Sequence, residues 1–270
     1  MDHRLVSTTT ATIFAAWLAG CMAISPLHPF DKTIPEETSQ AGRLLFLAED
    51  IAGRGETQTA LALLDRAGEL AGDDAMLHTR LGDAYLRLGE NERAERAYAM
   101  AVDLKPADAT ALLGLGSAKL RRGETTQAVA LIAAAAPQVG TATAYNRLGI
   151  AYTLAGRLTE AEAAYRKALA LDAADLDIKT NLALATALAR RDAEAQALIA
   201  EVVAHPTAQQ RHHRARVLVL GLTDKAAEVR KTQERRLDPR DVDKLLSQAR
   251  KIATSGDAKA RALALGAVMI

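Results

Sequence analysis

The sequence predicts an all-α solenoid: a right-handed superhelix of about five stacked helical hairpins followed by C-terminal capping helices. Three observations carry this. Small residues recur about every 34 positions, first as Ala48, Gly82, Gly116, Gly149 and Ala183, then as Ala60, Ala94, Ala128, Ala161 and Ala195, then as Ala67, Ala101, Ala135, Ala168 and Val202. Large residues keep the same register: Leu47, Leu81, Leu115, Leu148 and Leu182 precede the first small site, and Leu64, Tyr98, Ile132, Tyr165 and Ile199 lie between the second and third. Finally, 49% of the chain is hydrophobic but only 3% aromatic, a composition suited to closely approached alanine-rich helices and not to a bulky core. Small side chains let helix axes approach to the near end of the usual packing range, and large neighbours fill the gaps beside them.

Residues 1–20 read as a secretion leader. Arg4 leads into the apolar, threonine-rich stretch Leu5 to Leu18, too short to span a bilayer comfortably, which ends in Leu18-Ala19-Gly20-Cys21. That ending resembles the bacterial lipobox. The resemblance implies cleavage before Cys21, with diacylglycerol on its thiol and an acyl chain on its new amine. Cys21 is the only cysteine, so no disulfide can form within the chain. Several acyl chains together anchor stably, leaving the protein tethered and not spanning. Met22 follows, and in lipoproteins of this kind a residue other than aspartate there implies the outer membrane, with the protein facing the periplasm. After the lipidated cysteine, the segment to residue 40 holds Pro26, Pro29 and Pro35 among Ser, Thr and Glu, and reads as a flexible linker averaging about 25 Å.

The hairpins occupy residues 41–206, at about 41–74, 75–108, 109–141, 142–175 and 176–206. Gly55, Gly89, Gly123 and Gly156 stand between the two helices of their hairpins, where a residue tolerant of positive φ ends the first. Pro106 and Pro206 mark repeat ends. This pattern resembles the tetratricopeptide repeat, with Leu-Gly, Tyr, Ala, a large residue, Ala and Pro at fixed offsets, and Ala75 to Asp108 matches it at almost every position. One such hairpin cannot bury its apolar face alone, so neighbours stack around a continuous core.

Residues 207–270 read as a degenerate sixth unit and cap, with helices from Arg214 to Lys231 and from Asp241 to Ile252. The apolar ending, Ala262 to Ile270, is too short to span a bilayer; it either covers the last helix or seeks a partner. Net charge is +1, but unevenly spread. Residues 41–110 carry 8 Lys or Arg against 13 Asp or Glu, and residues 210–251 carry 12 against 6. Arg211, His212, His213, Arg214 and Arg216 form the densest basic stretch. It is either a solvated helix face with interspersed ion pairs or a docking surface for acidic protein or anionic headgroups. A leader for export argues against nucleic acid.

Catalytic patterns are missing. Gly114-Leu115-Gly116 with Lys119 lacks the Gly-Lys-Ser/Thr ending of a phosphate loop and lies inside a repeat helix. No two of the six histidines have the i, i+4 spacing that aims imidazoles at one metal. Acidic neighbours such as Glu49-Asp50 and Asp73-Asp74 are explained by solvation. The sequence therefore predicts no catalytic residue, no metal and no small-molecule substrate.

Binding is left, and the superhelix says where. If positions 4, 7, 8 and 11 of each first helix face the core, positions 2, 5, 9 and 12 share the concave side. The expected groove residues are Glu49, Thr79, Asp83, Ser117, Asn146, Ile150, Thr153, Thr180 and Leu184, a mixed surface for an extended peptide or a helix. Chaperone-binding tetratricopeptide domains resemble this fold but grip a carboxylate with a basic residue at position 5 and Asn at 9. No repeat here has that pair, so a bound peptide uses other contacts.

The lipobox, the linker, the repeats and the stretches Tyr145-Asn146-Arg147-Leu148-Gly149-Ile150-Ala151-Tyr152 and Asn181-Leu182-Ala183-Leu184-Ala185 together resemble the TadD family over about residues 15 to 231. These are outer-membrane lipoproteins of the Tad, or tight adherence, apparatus that assembles Flp pili. The resemblance implies a non-catalytic interaction scaffold that helps the pilus secretin or other Tad components localise and assemble. A general envelope lipoprotein organising peptidoglycan enzymes or outer-membrane assembly factors is the alternative of the same class. An envelope hydrolase, or a regulatory subunit of one, is the alternative of another class.

Overall fold

Ser39, Asp74, Asp108, Thr141 and Asp175 stand one repeat apart, and each turns a side-chain oxygen onto a backbone N–H in the first turn of the helix that follows. Such caps satisfy donors that a helix start leaves open. In a computed structural model, which describes residues 39–232 and 236–269, five helical hairpins follow these caps. They are α1 (Gln40–Gly53) with α2 (Thr57–Leu70), α3 (Ala75–Arg87) with α4 (Asn91–Leu104), α5 (Ala109–Arg121) with α6 (Thr125–Val139), α7 (Ala142–Leu154) with α8 (Leu158–Leu171), and α9 (Leu176–Leu188) with α10 (Asp192–Ala204). Beyond them come α11 (Gln210–Leu222), the short α12 (Ala226–Thr232), α13 (Pro239–Thr254) and α14 (Ala258–Met269). The leader, Cys21 and all but the end of the linker lie outside the described residues.

Each hairpin turns through one residue of positive φ. Gly55, Gly89, Gly123 and Gly156 take this role in the first four, with φ of 86°, 80°, 81° and 75°. Arg190 in the fifth and Asp224 between α11 and α12 adopt it without being glycine, at 61° and 57°. Arg190 gains a contact there: its guanidinium donates to the Ala253 carbonyl of α13 at 2.9 Å.

The recurring alanines are the points of closest helix approach. Ala60, Ala94, Ala128, Ala161 and Ala195 are wholly buried, as are Ala67, Ala101, Ala135, Ala168 and Val202. Leu64, Tyr98, Ile132, Tyr165 and Ile199 sit buried between them. One large column breaks at its first member. Leu81, Leu115, Leu148 and Leu182 are buried, whereas Leu47 is 45% exposed. This position packs against the preceding hairpin, and α1 has none before it among the described residues.

The C-terminal part departs from a plain hairpin. α13, and not the short α12, packs along α11, and Gly221 makes the approach possible: a β-carbon there would lie 2.6 Å from Cβ of Ala249. The apolar ending is α14, which touches α13 but also folds back onto α7 and α9. Ala262 and Leu265 of α14 join the apolar cluster of Leu184, Ala187 and Leu188. At Gly156 a side chain would meet the backbone of Lys259, 2.7 Å from its nitrogen. No helix among the described residues is long and apolar enough to cross a membrane.

Candidate functional site

The first helices α1, α3, α5, α7 and α9 form one continuous face, and the expected groove residues divide on it into two sets. Glu49, Asp83, Asn146 and Ile150 are partly exposed. Thr79, Ser117, Thr153, Thr180 and Leu184 are buried, which removes them from the lining. The hydroxyls of the four buried polar residues bond within their own helices: Thr79 to the Ala75 carbonyl at 3.0 Å, Ser117 to Leu113 at 2.7 Å, Thr153 to Gly149 at 2.8 Å and Thr180 to Leu176 at 2.6 Å. Leu184 lies in the apolar cluster that α14 completes.

The correction has a geometric cause. Helical side chains lean toward the N-terminus, so a given surface spot is covered by a residue about one position further along than an axial projection suggests. Thr79 and Thr180 at position 5 and Thr153 at position 12 thereby turn into the seams between neighbouring first helices, whereas Leu184 at position 9 is buried in the cluster that α14 completes. Arg80 at position 6 and Arg87 at position 13 turn outward beside position 9, and the polar contacts between repeats run through residues at these two positions.

Those contacts are made by residues the sequence reading passed over. Arg80 and Arg87 of α3 converge on Glu49 of α1, with Arg80 at 3.6 Å and Arg87 in a closer bond. Beside them Ala48, Ala52, Gly53, Leu64 and Ala84 complete a cleft of about 270 Å³. Arg121 of α5 donates to the Leu86 carbonyl of α3 at 3.1 Å. Burial pulls its pKa below the ordinary arginine value, and the positive charge of Arg147 adds to the effect. Asp83 accepts from the Tyr98 hydroxyl at 2.6 Å. Asn181 of α9 donates to the Asn146 side-chain oxygen of α7 at 3.1 Å. A signal for this set was present: in the repeat frame, arginines recur at positions 6 and 13.

α14 sets the length of the open face. Lying against α7 and α9, it covers the fourth and fifth repeats, and Leu154 at the end of α7 approaches Gly266. The open stretch therefore runs from α1 to the N-terminal halves of α7 and α9.

The basic stretch of α11 is a seam. Arg211 reaches both carboxylate oxygens of Asp177 at 2.7 and 2.9 Å, and buried His212 meets the same carboxylate through Nε2 at 2.9 Å. Its Nδ1 accepts from the Gln209 N–H at 2.9 Å, which assigns the ring proton to Nε2. Burial raises the Asp177 pKa, but the bonds from His212 and Arg211 outweigh it and bring the value to about 2. Arg214 faces Asp241 at 4.0 Å and Arg216 faces Glu228 at 3.8 Å. These pairs match the reading of an ion-paired helix face. Among the described residues no three His, Cys, Asp or Glu side chains are grouped to hold a metal ion.

Stacked hairpins with a polar groove along their first helices define a helical-repeat solenoid of the class that mediates protein–protein interactions. Family models described as tetratricopeptide repeat match residues 47–109, 79–141 and 142–174. No curated protein sequence matches the chain. Among solved structures, it is similar to PilW, described as a widely conserved type IV pilus biogenesis factor, with a TM-score of 0.66 at 18% identity over 77% of this chain and 100% of PilW. It is also similar to PilF of Pseudomonas aeruginosa, with a TM-score of 0.59 at 15% identity over 77% of this chain and 97% of that one. A tetratricopeptide repeat protein from Parabacteroides merdae gives 0.62 at 17% identity over 84% and 91%. At these identities the likeness is one of fold.

Proposed function

We propose that this protein is a lipid-anchored scaffold of the outer membrane that assists assembly of the Tad/Flp pilus, holding the secretin or another assembly component from the periplasmic side and doing no chemistry itself. The observation that carries this reading is the sequence Leu18-Ala19-Gly20-Cys21 ahead of a solenoid of interaction repeats. Diacylglycerol and an acyl chain at Cys21 hold the protein at the bilayer, and the linker lets the repeats stand clear of it. Two of the similar folds, PilF and PilW, bear pilus names, and one of them is a pilus biogenesis factor.

A deletion strain tests it. Pilin is still made but surface pili are absent, and secretin multimers are reduced or mislocalised. Normal pili in that strain refute the reading. Mass spectrometry of the native protein finds an acylated Cys21 at the N-terminus; a bare thiol within an intact leader refutes the anchor.

A further inference from the structure

One arginine of the first ion cluster returns in the same register two repeats later without its acid. In the first two repeats the carboxylate at position 9, Glu49, is met by Arg80 at position 6 and Arg87 at position 13 of the next repeat. Between the third and fourth repeats, position 6 is again an arginine, Arg147, but position 9 is Ser117, whose hydroxyl bonds to its own helix. Arg147 is only 8% exposed, and its Nε–H, fully buried, has no hydrogen-bond partner. Arg121, at position 13 of the helix that carries Ser117, adds a second positive charge in its neighbourhood. A buried guanidinium N–H without an acceptor is costly to a fold, and its persistence points to an acceptor supplied from outside.

We infer that Arg147, with Arg121 beside it, receives a carboxylate from an extended acidic segment of a partner protein lying along the groove, in the place that Glu49 fills two repeats earlier. This rests on the reading of the protein as a scaffold. It differs from the basic-5, Asn-9 grip of chaperone-binding domains, because the cations stand at positions 6 and 13. Arginine suits the task, since its planar fork offers a carboxylate two parallel bonds. The neighbours select a peptide. Asp83, bonded to the Tyr98 hydroxyl on which Arg147 also acts, already brings one negative charge, which suits a singly charged carboxylate better than a doubly charged phosphate. Next along the face, the Asn146–Asn181 pair keeps amide hydrogens on Asn146 and the side-chain carbonyl of Asn181 for a peptide backbone.

Thermal unfolding of the full-length protein tests this, with sodium propionate as the probe against sodium chloride and sodium phosphate at equal ionic strength. A ligand that binds only the folded state raises the midpoint in a saturable way. Wild type gains from propionate over chloride, Arg147→Lys retains part of the gain, and Arg147→Met loses it; comparing the proteins cancels general salt effects. Equal responses of wild type and Arg147→Met, or a response to phosphate alone, overturn the inference. Should the methionine variant not fold, Arg147→Gln is compared in the same way. In the deletion strain, restoration of pili by a copy carrying Arg147→Met overturns the carboxylate site while leaving the scaffold reading standing. Normal pili in the deletion strain itself overturn that reading.

Discussion

The ring of Tyr98 fills the space that a side chain on Gly114 would need. It lies between α3 and α5, so that a β-carbon on Gly114 would overlap its edge and one on Gly82 would fall 2.7 Å from Cε1. Tyr98 is fully buried, and its hydroxyl is held by Asp83, so the ring cannot swing aside. One aromatic side chain thus sets the spacing of three consecutive helices.

Replacing glycine by alanine inside a helix ordinarily gains about 1 kcal/mol. At Gly114 the overlap with Tyr98 outweighs this, since overpacking a core costs about 1–3 kcal/mol or more. Gly114→Ala is expected to unfold at lower denaturant concentration than wild type, and an unchanged midpoint would show that the repeats are registered differently.

Gly68, inside α2, supplies the opposite sign. A β-carbon there meets only Cδ1 of Leu81 at 3.8 Å, an ordinary contact. Gly68→Ala is expected to stabilise by about 0.5–1 kcal/mol in the same denaturant titration.

The turn at Asp224 offers a second gain. At φ 57° a residue with a β-carbon is held in a conformation that costs it roughly 1–2 kcal/mol, which glycine escapes in part. Asp224→Gly should raise stability by up to about 1 kcal/mol. Arg190→Gly should gain less, because it forfeits the bond to Ala253.

Acid should loosen the junction of α9 and α11. The Asp177 pKa in the fold, about 2, lies below the ordinary 3.8, so its contribution is present above about pH 4 and is lost as the pH falls toward 2. Discounted for partial exposure, it amounts to about 1–2 kcal/mol. Stability measured across this range should slope less steeply in Asp177→Asn, and parallel curves would remove the carboxylate from the explanation.

Leu265 ties α14 to the solenoid and is nearly buried. Leu265→Ala should weaken that docking by about 2–4 kcal/mol and raise hydrogen exchange and proteolysis in α14 while α1 to α6 stay protected. Uniform protection loss would mean that α14 is not a separable cover.

The hairpins were legible because each repeat poses the same packing problem and answers it with the same residue type. Ala94, Ala128 and Ala161 recur since every hairpin brings its helices equally close, and Gly89, Gly123 and Gly156 recur since every turn needs the same φ. The groove was legible only as a face. Glu49, Asp83, Asn146 and Ile150 are partly exposed on it, while Thr79, Thr153 and Thr180 turn inward by the lean of side chains along a helix and Ser117 and Leu184 are buried at position 9.

Local order along the chain thus follows from residues that interact with near neighbours, whose spacing is written in the linear sequence. Which helix α14 would cover, and which arginine would lack an acid, depended on groups far apart in the chain. Lys259 meets Gly156 and Arg80 meets Glu49 through the stacking of whole hairpins, while the buried Nε–H of Arg147 is left without an acceptor. Such pairings have no period to read, because each arises once, from how far one repeat is turned against the next.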